Sequence, residues 1–160
     1  MNDNNRYAPP KADVEGETLE SARAPALWNP NATANWSLLF TPMFGAWLQM
    51  QNWHALGERR RSDAARSWMV LSTIMLAAWV FLDLVAPRSL WALLMPLLSF
   101  VWLLAWYFAS SKPHAKWVAE RFGKSYPRRP WMHPLLWGVA GYVLIYGLGV
   151  LAGIVARTPY

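Results

Sequence analysis

The chain of 160 residues contains no cysteine. That absence removes disulfides, thiolate metal sites and cysteine nucleophiles together. Histidine is scarce too: His54, His114 and His133 share neither a metal-ligand spacing nor one helix face, so no metal site is expected. There is no glycine-rich phosphate loop, no pair of carboxylates placed for a cleft and no Ser-His-Asp set. The chain therefore reads as non-enzymatic, with no cofactor.

Charge is missing from three long stretches. Residues 68–86, "WMVLSTIMLAAWVFLDLVA", carry one charge, Asp83, and residues 89–109 and 135–156 carry none. Each reaches the ~20 apolar residues with which a helix crosses about 30 Å of hydrocarbon. None offers the polar face that a helix of a soluble bundle needs. The expected fold class is an all-α integral membrane protein with three transmembrane helices and a fourth helical segment before them.

Residues 1–35 form a polar tail rich in Asn, Pro, Ala and Glu. Its low hydrophobicity predicts disorder, and it lacks the basic start and apolar run of a signal peptide. Residues 36–160 are expected to form the helical membrane domain.

Net charge is +6, from 15 basic and 9 acidic residues. The basic residues concentrate in two connections, the loop 54–67 and the loop 110–134, the second holding a short helix from about Pro113 to Phe122 that Gly123 stops before an extended Pro-rich run. Lys and Arg hold loops in the cytoplasm. Both loops are therefore placed there, the tight hairpin tip around Pro87 and Arg88 faces out, and the carboxyl terminus is periplasmic. Trp68, Trp106, Tyr107 and Trp137 then fall near the inner interface and Trp91 near the outer one. Arg59, Arg60, Arg61, Lys116, Arg128 and Arg129 are candidate contacts to anionic lipid, worth about 1 kcal/mol each. Headgroups account for this basic and aromatic alternation more simply than nucleic acid does, so the bilayer is the expected partner and nucleic acid is not.

Residues 41–57, "TPMFGAWLQMQNWHALG", decide the side of the tail. Thr41 is a capping residue, Pro42 suits a first helical position and Gly57 a stop, which predicts a helix over 42–56. It would carry Ala46, Trp47, Met50 and Trp53 on one face and Gly45, Gln49 and Asn52 on another. The apolar run from Leu38 to Leu48 is of the length typical of re-entrant or interfacial segments. Segment 36–56 is accordingly re-entrant or interfacial, or becomes a fourth span if it joins its flanking turns.

Candidate partner or helix-packing contacts lie in the spans. Asp83 is the only ionisable side chain within one. It sits near the outer surface, where Arg88 or Arg157 can pair with it. Gly138, Gly141, Gly149, Ala152 and Gly153 fall close to one stripe of the last span, and small residues let helices approach closely in lipid. The stripe suits packing against the hairpin of the same chain, a partner or a homo-oligomer. Tyr142 and Tyr146, four residues apart, bring hydroxyls to a shared face.

Two stretches, "LWNPNATANWSLLFTPMFGAWLQMQNWHALG" and "KWVAERFGKSYPRRPWMHPLLWG", resemble segments of small multi-pass inner-membrane proteins of Gram-negative bacteria. Some proteins of similar build are immunity proteins against membrane-depolarising toxins. The resemblance implies a bacterial inner-membrane location. The expectation it supports is neutralisation of a membrane-inserting toxin by intramembrane helix contacts. Alternatives are an accessory or assembly subunit of an envelope complex, with 110–134 as its docking surface, and a small transporter or channel component.

Overall fold

The computed structural model describes residues 24–86 and 89–155, with side chains for all of these except Ala92 and 152–155. The regular structure among them is helical: α1 (Pro30–Ala55), α2 (Arg59–Val85), α3 (Leu90–Trp106), a π-helical turn (Tyr107–Ser111), α4 (Lys112–Phe122) and α5 (Met132–Val155). Three helices are long and apolar enough to cross a membrane: α2, the continuous rod from Leu93 to Phe122, and α5 from Met132 to Leu151. Their apolar side chains point outward. Leu93 is 70% exposed, Val143 62% and Val150 64%, a surface that suits lipid and would be costly in water.

α1 is a helical hairpin. Asn29 caps it by accepting from the Asn31 N–H, with Pro30 in the first turn. The helix breaks at Thr41, where φ is 81° and ψ 159°. A following proline disfavours helical backbone, and positive φ at a β-branched residue costs about 1–3 kcal/mol. Beyond the break the chain doubles back, so that the Trp28 N–H donates to Asn52 Oδ1 at 3.0 Å while Asn52 Nδ2 donates to the Trp28 carbonyl at 2.8 Å. In a straight helix these residues would stand about 36 Å apart. The arms, residues 30–40 and 42–55, are about 16 and about 21 Å long at 1.5 Å per residue. Neither covers about 30 Å of hydrocarbon.

The arms close over Gly45. A Cβ there would strike Ser37 Oγ of the opposite arm and the Trp106 ring of α3, while the Ser37 hydroxyl donates to the Thr33 carbonyl at 2.8 Å. The expected helix over 42–56 is thus only the second arm, and Thr41 is its hinge. Its supposedly polar face is also not solvated, because Gly45, Gln49 and Asn52 are all buried. Gly57, with φ 74°, ends the hairpin as expected. Both ends of α1 lie together, so 36–56 belongs to a folded-back hairpin and not to one continuous rod.

One connection read as a loop is largely helix: residues 59–67 belong to α2, since charge ends an apolar run without ending a helix of good helix formers. In the other, the short helix expected from about Pro113 to Phe122 is α4, which follows the π turn directly and stops at Gly123 with φ 60°. The disordered-tail expectation fails for residues 24–35. Leu27 is fully buried, its N–H donates to the Pro127 carbonyl at 3.0 Å, and its carbonyl accepts from the Arg129 N–H at 2.9 Å. Ala24, Leu27, Val118, Phe122 and Tyr126 form the core of this small cap. Residues 27–57 and 116–138 therefore pack on each other. Residues 1–23, Pro87, Arg88 and 156–160 lie outside the described residues.

Candidate functional site

The predicted contacts separate into three places. On α5, Gly141 and Gly149 have open space where a Cβ would stand, and so does Gly147. Gly138 instead abuts Phe40 of α1, at 3.1 Å from a Cβ placed there. A Cβ at 141 or 149 would meet nothing within 4 Å among the described residues, so these glycines make no tight contact with the α2–α3 hairpin. Tyr142 and Tyr146 stack with ring centroids 4.2 Å apart and remain about half exposed. The side chain of Gly153 lies outside the described residues. Asp83 is exposed on α2 and forms no ion pair among the described residues. Its expected partners, Arg88 and Arg157, lie outside them.

Between α1, α2 and α5 lies an apolar cavity of about 450 Å³. Phe40, Phe44, Trp47 and Trp79 line it together with Gly141, Tyr142 and Tyr146. Thr41 lines it too, and its buried Oγ1 has no hydrogen-bond partner among the described residues.

A second, polar cavity of about 410 Å³ lies beside the π turn, at the basic end of the rod. The rod runs 30 residues from Leu93 to Phe122, about 45 Å at helical rise, so its last turns overreach about 30 Å of hydrocarbon. Lys112, Lys116, Glu120 and Arg121 mark the overreaching part. Pro113 has no N–H to give, and a π turn loosens the backbone ladder beside it. Gln49 reaches this turn from α1: its Nε2 donates to the Ser110 carbonyl at 3.0 Å, and Ser110 Oγ donates back to Gln49 Oε1 at 3.1 Å.

Arg61 and His114 complete the walls of this cavity. The Arg61 guanidinium stands 4.9 Å from the Trp53 ring centroid and 5.0 Å from that of Trp117, within cation–π range of both. His114 is 2% exposed and packs on Trp53 at 4.5 Å. Its Nε2 has no partner among the described residues. Burial first, and the nearby Arg61 charge second, lower its pKa from 6.5 to about 3, so the ring is neutral at pH 7.

The six basic candidates do not act alike. Arg59 and Arg60 are exposed, and Lys116 pairs with Glu120 at 3.6 Å on the surface. Arg61 and Lys116 share the polar cavity. Arg128 and Arg129 lie across the cap, over the rings of Tyr126 and Trp28 at 5.5 and 4.7 Å. Among the aromatic expectations, Trp106 is corrected: at 1% exposure it is a core residue against Gly45 and no headgroup anchor. Trp102 packs on Trp68 at 4.9 Å and donates to Ser72 Oγ at 2.9 Å.

Sequence reasoning missed Gln49, Trp53, Ser110, His114 and Trp117 as one site. One signal was present: His114, Val118 and Phe122 recur at helical spacing and all are buried. Comparison with protein-family models, curated proteins and solved structures finds no match to this chain.

Proposed function

We propose that the chain is a non-enzymatic, multi-pass protein of a bacterial inner membrane that protects its producer from a membrane-inserting, depolarising toxin. The basic end of the bundle faces the cytoplasm in this reading, and α5 ends in the periplasm. The observation that supports it is the open face of α5. Backbone at Gly149 is exposed and Gly141 opens on the apolar cavity, beside the half-exposed Tyr142 and Tyr146, which is what a second helix needs for close approach and hydrogen bonding in lipid. A toxin helix seated there would be held out of its conducting arrangement.

The test is membrane potential, read with a voltage-sensitive dye, in deletion and complemented cells attacked by the parent strain. Depolarisation confined to the deletion strain, and restored in cells that accumulate a Gly149→Leu protein, is the expected result. Equal potentials in all strains, with the attack shown to be active on a sensitive control, would sink the reading.

A second reading, an accessory or assembly subunit of an envelope complex, is favoured by the folded cap. That cap presents the exposed Lys112, Lys116 and Arg121 on a packed platform. Under it, deletion lowers the amount of an envelope complex and leaves survival under attack unchanged.

A further inference from the structure

The polar cavity beside the π turn has an excess of hydrogen-bond donors. Its amide and hydroxyl pair, Gln49 and Ser110, satisfy each other. What remains is cationic or donating. The Arg61 guanidinium makes no hydrogen bond among the described residues, and its one ionic contact is to Glu58 at 4.0 Å, a distance too long for a hydrogen bond. His114 Nε2, in the tautomer that carries its proton there, is a buried donor with no acceptor. Lys116 stands on the rim, shared with Glu120, the one carboxylate among the described lining residues. A buried donor left unpaired costs about 1–3 kcal/mol; His114 Nε2 is the one such group here, beside the solvent-exposed cations Arg61 and Lys116, and an acceptor-rich guest matches all three.

We infer that this cavity binds a phosphate group, supplied by the headgroup of an anionic lipid in the leaflet at the basic end. The guanidinium matches two phosphate oxygens with a fork of parallel N–H donors. His114 lines the same cavity, and its Nε2 supplies a third donor on turning toward the guest, while Trp53 and Trp117 flank the guanidinium within cation–π range. The level is right as well. The apolar part of the rod ends at the π turn and its charges begin at Lys112, where headgroups meet hydrocarbon. Arg61 is still 45% exposed, so the site is open to a headgroup arriving from the bilayer. The inference rests on the membrane reading above and is independent of the protective role.

The test is native mass spectrometry of the full chain in detergent, with phosphatidylglycerol and diacylglycerol as probes and inorganic phosphate as the soluble competitor. The wild type is expected to retain one phosphatidylglycerol and to discriminate against diacylglycerol, which lacks the phosphate. Arg61→Gln should weaken retention about tenfold, the loss of one charge-assisted contact, and His114→Phe should weaken it too. Arg66→Gln, exposed and outside the cavity, should leave it unchanged. Because Arg61 is a surface side chain, its variant stays informative even where the buried His114 variant fails to fold. Wild-type retention by Arg61→Gln, or an equal loss in Arg66→Gln, would overturn the site. Arg61-dependent binding of inorganic phosphate without lipid retention would overturn the lipid source. Carbonate extraction reads the membrane assignment separately, since a chain that resists extraction yet binds no phosphate fails only this inference.

Discussion

Trp28 and Asn52 exchange two hydrogen bonds, the Trp28 N–H to Asn52 Oδ1 at 3.0 Å and Asn52 Nδ2 to the Trp28 carbonyl at 2.8 Å. One side chain thereby pins the start of the helical hairpin to its end. Asn52 is fully buried and occupies the place that a sheet partner or a capping box would fill elsewhere. Asn52→Leu leaves a backbone donor and acceptor at Trp28 without partners. We expect a loss of about 1–3 kcal/mol, read as a lower melting temperature in detergent and faster proteolysis between residues 24 and 30.

Gly45 is set by a different constraint, the space between Ser37 and the Trp106 ring. Neither neighbour is the loose end of a flexible side chain, and Trp106 is itself buried. Gly45→Ala should destabilise by about 1–3 kcal/mol through overpacking, whereas Gly141→Ala, with open space inside a helix, should not destabilise and gains up to about 1 kcal/mol from helix propensity. Thermal unfolding of the two variants side by side checks the contrast.

His114 gives stability a pH dependence. Its folded pKa, about 3, lies below the ordinary 6.5 because burial, and then Arg61, oppose the charged ring. The groups around it are Arg61, Lys116 and Glu120, with Glu58 paired to Arg61. The folded state therefore binds fewer protons than the unfolded chain below pH 6.5. Its stability is fully present above pH 6.5 and falls by roughly 1.4 kcal/mol per pH unit as pH drops from there toward 3. Melting temperature between pH 7.5 and 5 should fall in the wild type and flatten in His114→Phe.

The apolar rods were legible because composition alone decides them: a charge-free run long enough for hydrocarbon has few alternatives. Their ends were not. Arg59 to Ser67 read as a loop because charge marks the end of a span, yet Arg and Ala favour helix and nothing breaks it before Val85. Thr41 followed by Pro42 carried a real signal with two meanings, a start or a hinge, and only Trp28 against Asn52 separates them. That pairing, like Leu27 against Pro127 and Arg129, joins residues far apart in the chain and leaves no local periodicity. The polar cavity was hidden for the same reason. Gln49, Arg61 and His114 come from three helices, and each alone reads as an ordinary surface or core residue.

The account stands most directly on α1 entering and leaving on one side, with the tail beside the basic end. Because the chain has no native cysteine, single cysteines at Asn31, Ser125 and Arg88 can be probed in intact cells with a membrane-impermeant maleimide. Asn31→Cys and Ser125→Cys should stay unlabelled until the inner membrane is opened, while Arg88→Cys labels from the periplasm at once. Periplasmic labelling of Asn31→Cys, with Ser125→Cys still protected, would mean that α1 crosses the membrane, and would contradict the hairpin.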